Sequence, residues 1–406
     1  MVHLIIYNID LKDLKVIGGK MDLYLIKLTC GYDCSCTGQG PSRMERITAA
    51  ALAESEINCH VTVLCGSRDF TTAAEAGSLR NNRIIFAADL DESGVNVEAA
   101  LVLGYLHTHA DALDGSTGGV IVDGKGELFT KDLGRRIVFA ANMAGCAFTG
   151  KPLVEATGSL VNFAVSAKLW DENLEGAYKK SCRLLIEKTV GYRSENFSKH
   201  CSVGAGNAGS SGTDGNKPKI LAIHAGNRET SNSFSIWRKA AEYLEDRAEV
   251  EEISIRNGQV LDCRGCRYED CLHFGENAGC FYGGVMVEKV YPAILRSDVL
   301  VLICPNYNDS VSANIMAFIN RLTALFRTSD FSRKRIYSIV VSGYSGGDIV
   351  AQQIIGAINM NKNFILPPRF AMLETANDPG TALKLPGIEE RTKSFADSII
   401  SYRIQD

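Results

Sequence analysis

From Lys219 onward the chain alternates short apolar runs with segments of helical period, and few folds accommodate that alternation. Lys219-Ile220-Leu221-Ala222-Ile223 is a strand-like run, and Phe234, Trp237, Ala241 and Leu244 then share one helix face. Val250 to Ile255 alternates like a strand, and Val285 to Leu295 reads as a helix. Val299-Leu300-Val301-Leu302-Ile303 is continuously apolar, as expected of a strand buried on both faces. Ile315, Phe318, Ile319, Leu322 and Phe326 recur at helical spacing. Ile336–Val341, Val350–Ile358, Phe370–Leu373 and Ser394–Ile400 extend the pattern as strand, helix, strand and helix. Short strands separated by helices predict an α/β domain, with a parallel sheet covered on both faces.

Five strands in this order suit a doubly wound, flavodoxin-like sheet. The N-terminal half carries a weaker echo of the plan. Leu23–Leu28 matches the first strand, Val95-Asn96-Val97-Glu98 matches Val285-Met286-Val287-Glu288, and Val120–Val122 matches Val299–Ile303. The helix around Lys131–Ala144 matches Ser312–Phe326, and Leu153–Thr157 matches Met372–Ala376. We read a diverged, truncated copy of the same fold, short of one unit, because only Gly145 to Pro152 separates its third helix from its last strand. The expected organisation is a degenerate flavodoxin-like domain over 21–193, a flexible linker over 194–217 and the second domain over 218–406. The linker rests on Gly204-Ala205-Gly206-Asn207-Ala208-Gly209-Ser210-Ser211-Gly212, which is small, polar and non-periodic. Residues 1–20 read as an extension.

Composition narrows the class. With 46% hydrophobic and 22% charged residues the chain is expected to fold as a globular protein. A net charge of −4 argues against a generally basic nucleic-acid binder. No run of 18 apolar residues occurs, so no membrane-spanning helix is expected. Leu4-Ile5-Ile6-Tyr7 is too short for a signal core, which predicts a cytoplasmic protein. Thirteen cysteines in such a chain suggest thiols, or metal or cluster ligands, rather than a disulfide framework.

Ligands of a doubly wound sheet sit beyond the carboxyl ends of its strands. Three unusual loops are expected there. The first, His224 to Ser233, leads into a helix start, where unpaired N–H groups favour anions. Arg228 with the hydroxyls of Thr230, Ser231 and Ser233 suits a phosphomonoester, although Ser231 or Asn232 would serve equally as a plain helix cap. The second, Cys304-Pro305-Asn306-Tyr307-Asn308-Asp309-Ser310, offers a flat aromatic and two amides. The third, Ser342-Gly343-Tyr344-Ser345-Gly346-Gly347-Asp348, lets backbone N–H groups approach a ligand closely. Together they point to a phosphorylated planar cofactor whose ring lies between the second and third loops.

On these residues the second domain, over roughly 218–402, resembles the NADPH-dependent FMN reductase family, and more narrowly the iron-sulfur flavoproteins. That family opens Gly-Ser-Pro-Arg-x-x-Ser-Asn-Ser/Thr. Arg228, Ser231, Asn232 and Ser233 match, while Gly226 stands where serine is usual. The family's Pro-x-Tyr loop is Pro305-Asn306-Tyr307. Its Lys-x-Phe-x-Asp-Arg helix appears as Met316-Ala317-Phe318-Ile319-Asn320-Arg321, with Met316 for lysine and Asn320 for the acid. The resemblance implies that FMN is held by Arg228, Ser231, Asn232, Ser233, Pro305, Asn306, Tyr307, Asn308, Ser342, Gly343, Tyr344, Gly346 and Gly347. NAD(P)H is then the electron donor, and a small molecule or protein the acceptor. The flavin performs the chemistry, so no catalytic side chain is assigned. The N-terminal copy has neither Arg-x-x-Ser-Asn nor Pro-x-Tyr and is not expected to bind flavin.

Cys263, Cys266, Cys271 and Cys280 lie within 18 residues. Four thiolates suit a 4Fe–4S cluster, and zinc would accept them too. The resemblance places a compact four-cysteine motif here, usually C-x2-C-x2-C, whereas the second gap in this chain is four residues. His273 is a spare candidate ligand or a surface histidine. Cys30, Cys34 and Cys36 are left unassigned, and His107 and His109 sit on different helix faces. The expected function is an FMN-dependent NAD(P)H:acceptor reductase exchanging electrons with a cysteine-bound cluster. The alternative is a non-enzymatic electron carrier or redox sensor. Family members pair around the flavin, so either a homodimer or a pseudo-dimer within one chain is expected.

Overall fold

The computed structural model describes residues 22–30, 40–193, 217–256 and 258–402. The expected extension, most of the linker, Cys34 and Cys36 lie outside the described residues. The described residues form two compact units, one within 22–192 together with Leu366–Arg369 and the other within 193–365 and 370–402.

The first unit runs β1 (Leu23–Leu28), α1 (Arg43–Ala53), β2 (Val61–Cys65), α2 (Gly66–Glu75), β3 (Arg83–Leu90), α3 (Val97–Thr108), β4 (Thr117–Gly124), α4 (Thr130–Met143), β5 (Ala147–Ala156), α5 (Ala164–Trp170) and α6 (Leu174–Gly191). Its five strands are all parallel, in the order β2-β1-β3-β4-β5. One missing unit was expected here, yet the sheet has its full complement. Neither β2 nor β3 is among the segments matched from the sequence, and the Ile84–Ala88 run of β3 is fully buried. Val120–Val122 therefore lies on the fourth strand rather than the third. The helix opening at Val97 follows the third strand rather than the second.

The comparison slipped by one unit because it relied on local likeness, whereas sheet position is set by which strands hydrogen-bond. The last strand also begins earlier than expected, at Ala147, and runs through Pro152. Strand β5 lies at the sheet edge, where proline is tolerated, and the β4–β5 register shifts between Gly118 and Val120.

The second unit runs β6 (Lys219–His224), α7 (Asn232–Leu244), β7 (Glu249–Ser254), α8 (Tyr268–Gly275), α9 (Tyr291–Arg296), β8 (Val299–Pro305), α10 (Ala313–Phe326), β9 (Arg335–Ser342), α11 (Gly347–Ile354), β10 (Ala371–Thr375) and α12 (Ile388–Ser401). A π-turn over Met286–Val290 enters α9, and another over Ile355–Met360 extends α11. Its sheet is also all parallel, in the order β10-β9-β8-β6-β7, the same winding as the first. The expected strands and helices of this half all form.

Strands β8 and β9 are buried almost end to end, which explains their unbroken apolar runs. Edge strand β7 is half exposed and carries Glu249, Glu251 and Glu252. One core layer gathers Trp237, Ile236, Val301, Ile339, Phe395 and Ile399 around the β6, β8 and β9 strands. Each such side chain contributes about 1.5–3 kcal/mol by leaving water. Among the described residues no helix is long and apolar enough to cross a membrane.

If β3 is a central strand, Phe86→Ala should destabilise the first unit by about 3–5 kcal/mol, because Phe86 is wholly buried. A urea titration should show the lowered midpoint, and an unchanged midpoint would contradict this placement.

Candidate functional site

Parallel pairing brings the ends of β6, β8, β9 and β10 to one edge of the second sheet. Strand order reverses between β6 and β8, which is where ligands of such sheets bind.

The β6–α7 turn begins at His224, which is fully buried, and ends at Ser231, the N-cap of α7. Ser231 Oγ accepts from the Phe234 N–H at 3.3 Å and lies 3.0 Å from Ser233 Oγ. A Cβ on residue 226 would stand 2.8 Å from Ser231 Oγ, so glycine, rather than the serine usual in the family, leaves room for this cap. Arg228 is not free: its Nη2 donates to Glu252 Oε1 at 2.6 Å, although the side chain is 60% exposed. Glu252 Oε2 also accepts from Trp237 Nε1 at 3.3 Å.

Asn232 is committed elsewhere. Its Nδ2 donates to the carbonyls of Ala376 and Asp378, and its Oδ1 accepts from the N–H groups of Gly380 and Ala382. Both polar ends of the side chain therefore tie the start of α7 to the loop after β10. The expectation had this residue on the phosphate.

The β8–α10 and β9–α11 loops are joined through Asn306. Its N–H donates to the Val341 carbonyl at 2.9 Å. Its Nδ2 reaches Ser342 Oγ (3.2 Å), the Ser345 carbonyl (2.8 Å) and Asp309 Oδ1 (3.2 Å). Its Oδ1 is buried and has no hydrogen-bond partner. Such an acceptor costs roughly 1–3 kcal/mol while unmatched, a cost that a ligand donor would relieve.

Pro305 ends β8, and Tyr307 and Ser310 exchange backbone hydrogen bonds at 3.1 Å across a tight turn. Asn308 and Asp309 both have φ +54° inside that turn. Gln353 Oε1 accepts from the Val311 N–H, and its Nε2 donates to the Asp309 carbonyl. Ser342 ends β9 and is buried. Gly346 has φ +82° and lies so close to Asp309 and Asn306 that any Cβ would collide with them. A Cβ on Gly343 would meet Asn377 Oδ1 at 2.9 Å, which brings the fourth loop to the same edge. Gly347 opens α11, while Tyr307 and Tyr344 are 55% and 82% exposed at the rim.

The cysteine segment is carried by α10. Asn314 Nδ2 donates to the Ile255 carbonyl, Asn320 Nδ2 to Asp262 Oδ1 and Arg321 Nη2 to the Gly283 carbonyl. Tyr291 Oη donates to the Arg321 carbonyl at 2.6 Å. Cys263 and Cys266 are exposed, Cys271 and Cys280 half-buried, and all four are free thiols. Burial raises the Cys271 pKa. Arg327 opposes that rise, and the thiols of Cys263, Cys280 and Cys266 add to it. Even so, no three His, Cys, Asp or Glu side chains among the described residues form a metal-binding group.

His273 packs edge-on against Phe274. In the first unit, Ser42 and Glu45 form a reciprocal capping box at α1, and Arg43 is held by Asp123 and three backbone carbonyls. That helix start already has its own carboxylate. Cys30 donates to the Asp89 carbonyl, and burial pushes its thiol up to about 12.

Sequence reasoning gave no role to His224, although the first loop begins there, and missed Glu252, Gln353 and the Asn377–Gly380 loop. None carries a motif; each is brought in by a neighbouring strand or helix. Only the position of His224, directly after an apolar run, hinted at a buried polar group.

The five-stranded parallel sheet, its order and its covering helices define a doubly wound, flavodoxin-like domain. The NADPH-dependent FMN reductase family model matches residues 218–378. An iron-sulfur flavoprotein from Archaeoglobus fulgidus is 30% identical over 141 residues, covering 34% of this chain and 69% of that protein. The chain belongs to the NADPH-dependent FMN reductase family and is an oxidoreductase of that family.

Solved structures with a similar chain course include an FMN-dependent NADH-azoreductase from Bacillus anthracis in complex with FMN. It is 12% identical, covers 45% of this chain and 99% of its own, and has a TM-score of 0.31. An NAD(P)H:quinone oxidoreductase from Methanothermobacter marburgensis is also 12% identical, covering 44% and 92%, with a TM-score of 0.32.

Because Asn232 makes four hydrogen bonds to one loop, Asn232→Ala should cost about 1–3 kcal/mol of stability through the partners left unpaired. Chemical denaturation would register it; an unaffected midpoint would show that the tether is not needed.

Proposed function

We propose that this protein oxidises NAD(P)H through FMN bound at the carboxyl edge of the 218–406 domain, and that Cys263, Cys266, Cys271 and Cys280 hold an iron-sulfur cluster. The observation that carries the flavin reading is Asn306. One side chain joins the second and third loops and leaves a buried acceptor unmatched between them. The edge suits FMN in charge as well, with Arg228 and the α7 N-terminus for a phosphate.

Arg228 and the N–H groups of the first turn of α7 bind the phosphate. Ser231 and Ser233 hold that turn in shape. Asn232 braces it against the loop after β10, so its part is positioning. Asn306, Asn308 and the backbone from Ser342 to Gly347 would offer hydrogen bonds to the polar edge of the ring. Tyr307 and Tyr344 form a flat, exposed rim that keeps one side open to a nicotinamide or a small acceptor. FMN, when bound, supplies two-electron exchange with NAD(P)H and single-electron release, which gives a neighbouring cluster its use.

The donor set of the cysteine segment is right for such a cluster in number and softness. The name of the Archaeoglobus fulgidus relative favours iron over zinc. The thiols of Cys263, Cys266, Cys271 and Cys280 are free, in keeping with work in the cytoplasm. The 21–193 domain is a copy of the fold whose helix start is occupied by Glu45, and it does not take flavin.

The deciding experiment is an ultraviolet–visible spectrum of protein purified without oxygen, with iron and zinc assayed on the same sample. Flavin bands with a broad shoulder and about four irons per chain are expected. Zinc in place of iron would overturn the cluster, and failure to bind added FMN would overturn the flavin reading. Arg228→Ala should weaken FMN binding roughly 10- to 100-fold, as loss of a charged hydrogen bond worth about 1.5–3 kcal/mol predicts. Fluorescence quenching of FMN would measure it.

A further inference from the structure

His224 is wholly buried, yet neither of its ring nitrogens has a hydrogen-bond partner. It sits beneath the turn that carries Arg228. The groups around it are few. From β7 it faces Glu252, with Nε2 3.6 Å from Glu252 Oε1. The β6–α7 turn contributes Arg228 and the Gly226 backbone. From α7 it meets the Phe234 ring, with centroids 4.4 Å apart. Its register neighbours on β7 and β8, Ser254 and Ile303, carry no charge.

Glu252 Oε1 is therefore shared between a cation that it already holds at 2.6 Å and an imidazole just beyond hydrogen-bond reach. Burial lowers the His224 pKa. Glu252 and the Gly226 backbone pull it back up, while Arg228 adds to the lowering, so the standing ion pair opposes protonation of the ring. Arg228 cannot serve Glu252 and a bound phosphate equally well. Its side chain is 60% exposed and lies over the Phe234 ring, 5.8 Å from the ring centroid, on the solvent side of the turn.

We propose that a phosphomonoester at this turn draws Arg228 off Glu252, and that Glu252 then holds a protonated His224, so that binding takes up a proton from solvent. This rests on the flavin reading and adds a coupled group to it. The proton goes to the imidazole nitrogen facing Glu252, and no other bond changes. His224 and Glu252 are thus positioning residues that exchange one buried ion pair for another as the anion arrives. Without the exchange, Glu252 would be left without Arg228 in a partly buried place, which is costly.

The sign follows from linkage. A group whose pKa rises on binding strengthens binding at low pH and ceases to do so as pH climbs through the bound-state pKa. The FMN dissociation constant should therefore increase with pH above neutrality, by up to tenfold per unit.

The test is calorimetric titration of FMN into the full chain at about pH 7.5, above the second phosphate pKa of about 6. Two buffers of different ionisation enthalpy count the protons. Wild type should take up a fraction of a proton approaching one per FMN. His224→Gln and Glu252→Gln should bind FMN with uptake near zero, and riboflavin, which lacks the phosphate, should bind wild type with none. Any variant that binds FMN is folded, and if His224→Gln is not, Glu252→Gln carries the test. Uptake that is absent in wild type, retained in either variant or equal with riboflavin overturns the proton coupling. Failure of wild type to bind FMN overturns the flavin reading instead.

Discussion

The parallel pairing of β6, β8, β9 and β10 is the constraint on which the candidate site depends. Parallel strands require crossover helices, so every strand ends at the same edge and every following loop emerges there. Reversal of the strand order between β6 and β8 then opens a crevice flanked by two of those loops. The β6–α7 turn, the Asn306 loop and the glycine loop are far apart in sequence, and this winding alone makes them neighbours.

Within that edge a small number of side-chain amides do the joining. Asn306 binds the second loop to the third, and Asn232 binds the start of α7 to the fourth. Both amides satisfy backbone groups that have no strand or helix partner. The glycines act by absence. At Gly346 a positive φ and the nearness of Asp309 leave no room for a side chain. At Gly226 the missing Cβ leaves Ser231 space to cap the helix. The site is thus a set of loops fixed to one another, carried by a sheet whose stability comes from β8 and β9.

The cysteine segment has a different kind of support. It contains little regular structure apart from α8 and is fastened to α10 by Asn314, Asn320 and Arg321. The motif that announces the family helix, Met316 to Arg321, therefore overlaps the residues that hold the cysteine loop. The first unit shares the winding, but among its described residues neither feature is present. Its helix start is closed by its own Glu45, and its Arg43 is spent on Asp123 and backbone carbonyls.

Much of this was legible in the chain. The apolar runs of β6, β8 and β9 are long and flanked by clear helical periods, because a doubly covered parallel sheet leaves those strands no polar face. Arg228, Ser231, Pro305 to Tyr307 and Ser342 to Gly347 stood out because loops at strand ends carry residue types that strands and helices avoid. Strand β3 was passed over, although it is just as apolar, because likeness between units cannot say which strand pairs with which. The same holds for side-chain commitments. Asn232 reads as a phosphate ligand in the motif, and only the fold shows its amide turned to the loop after β10. By itself the sequence determined the alternation of elements, the parallel class and the loops worth attention, since these follow from local periodicity and turn chemistry. Only the tertiary structure decided that Glu252 holds Arg228, that His224 lies unpartnered beside them and that Asn306 ties two loops together, because each contact joins residues that only strand order brings within reach.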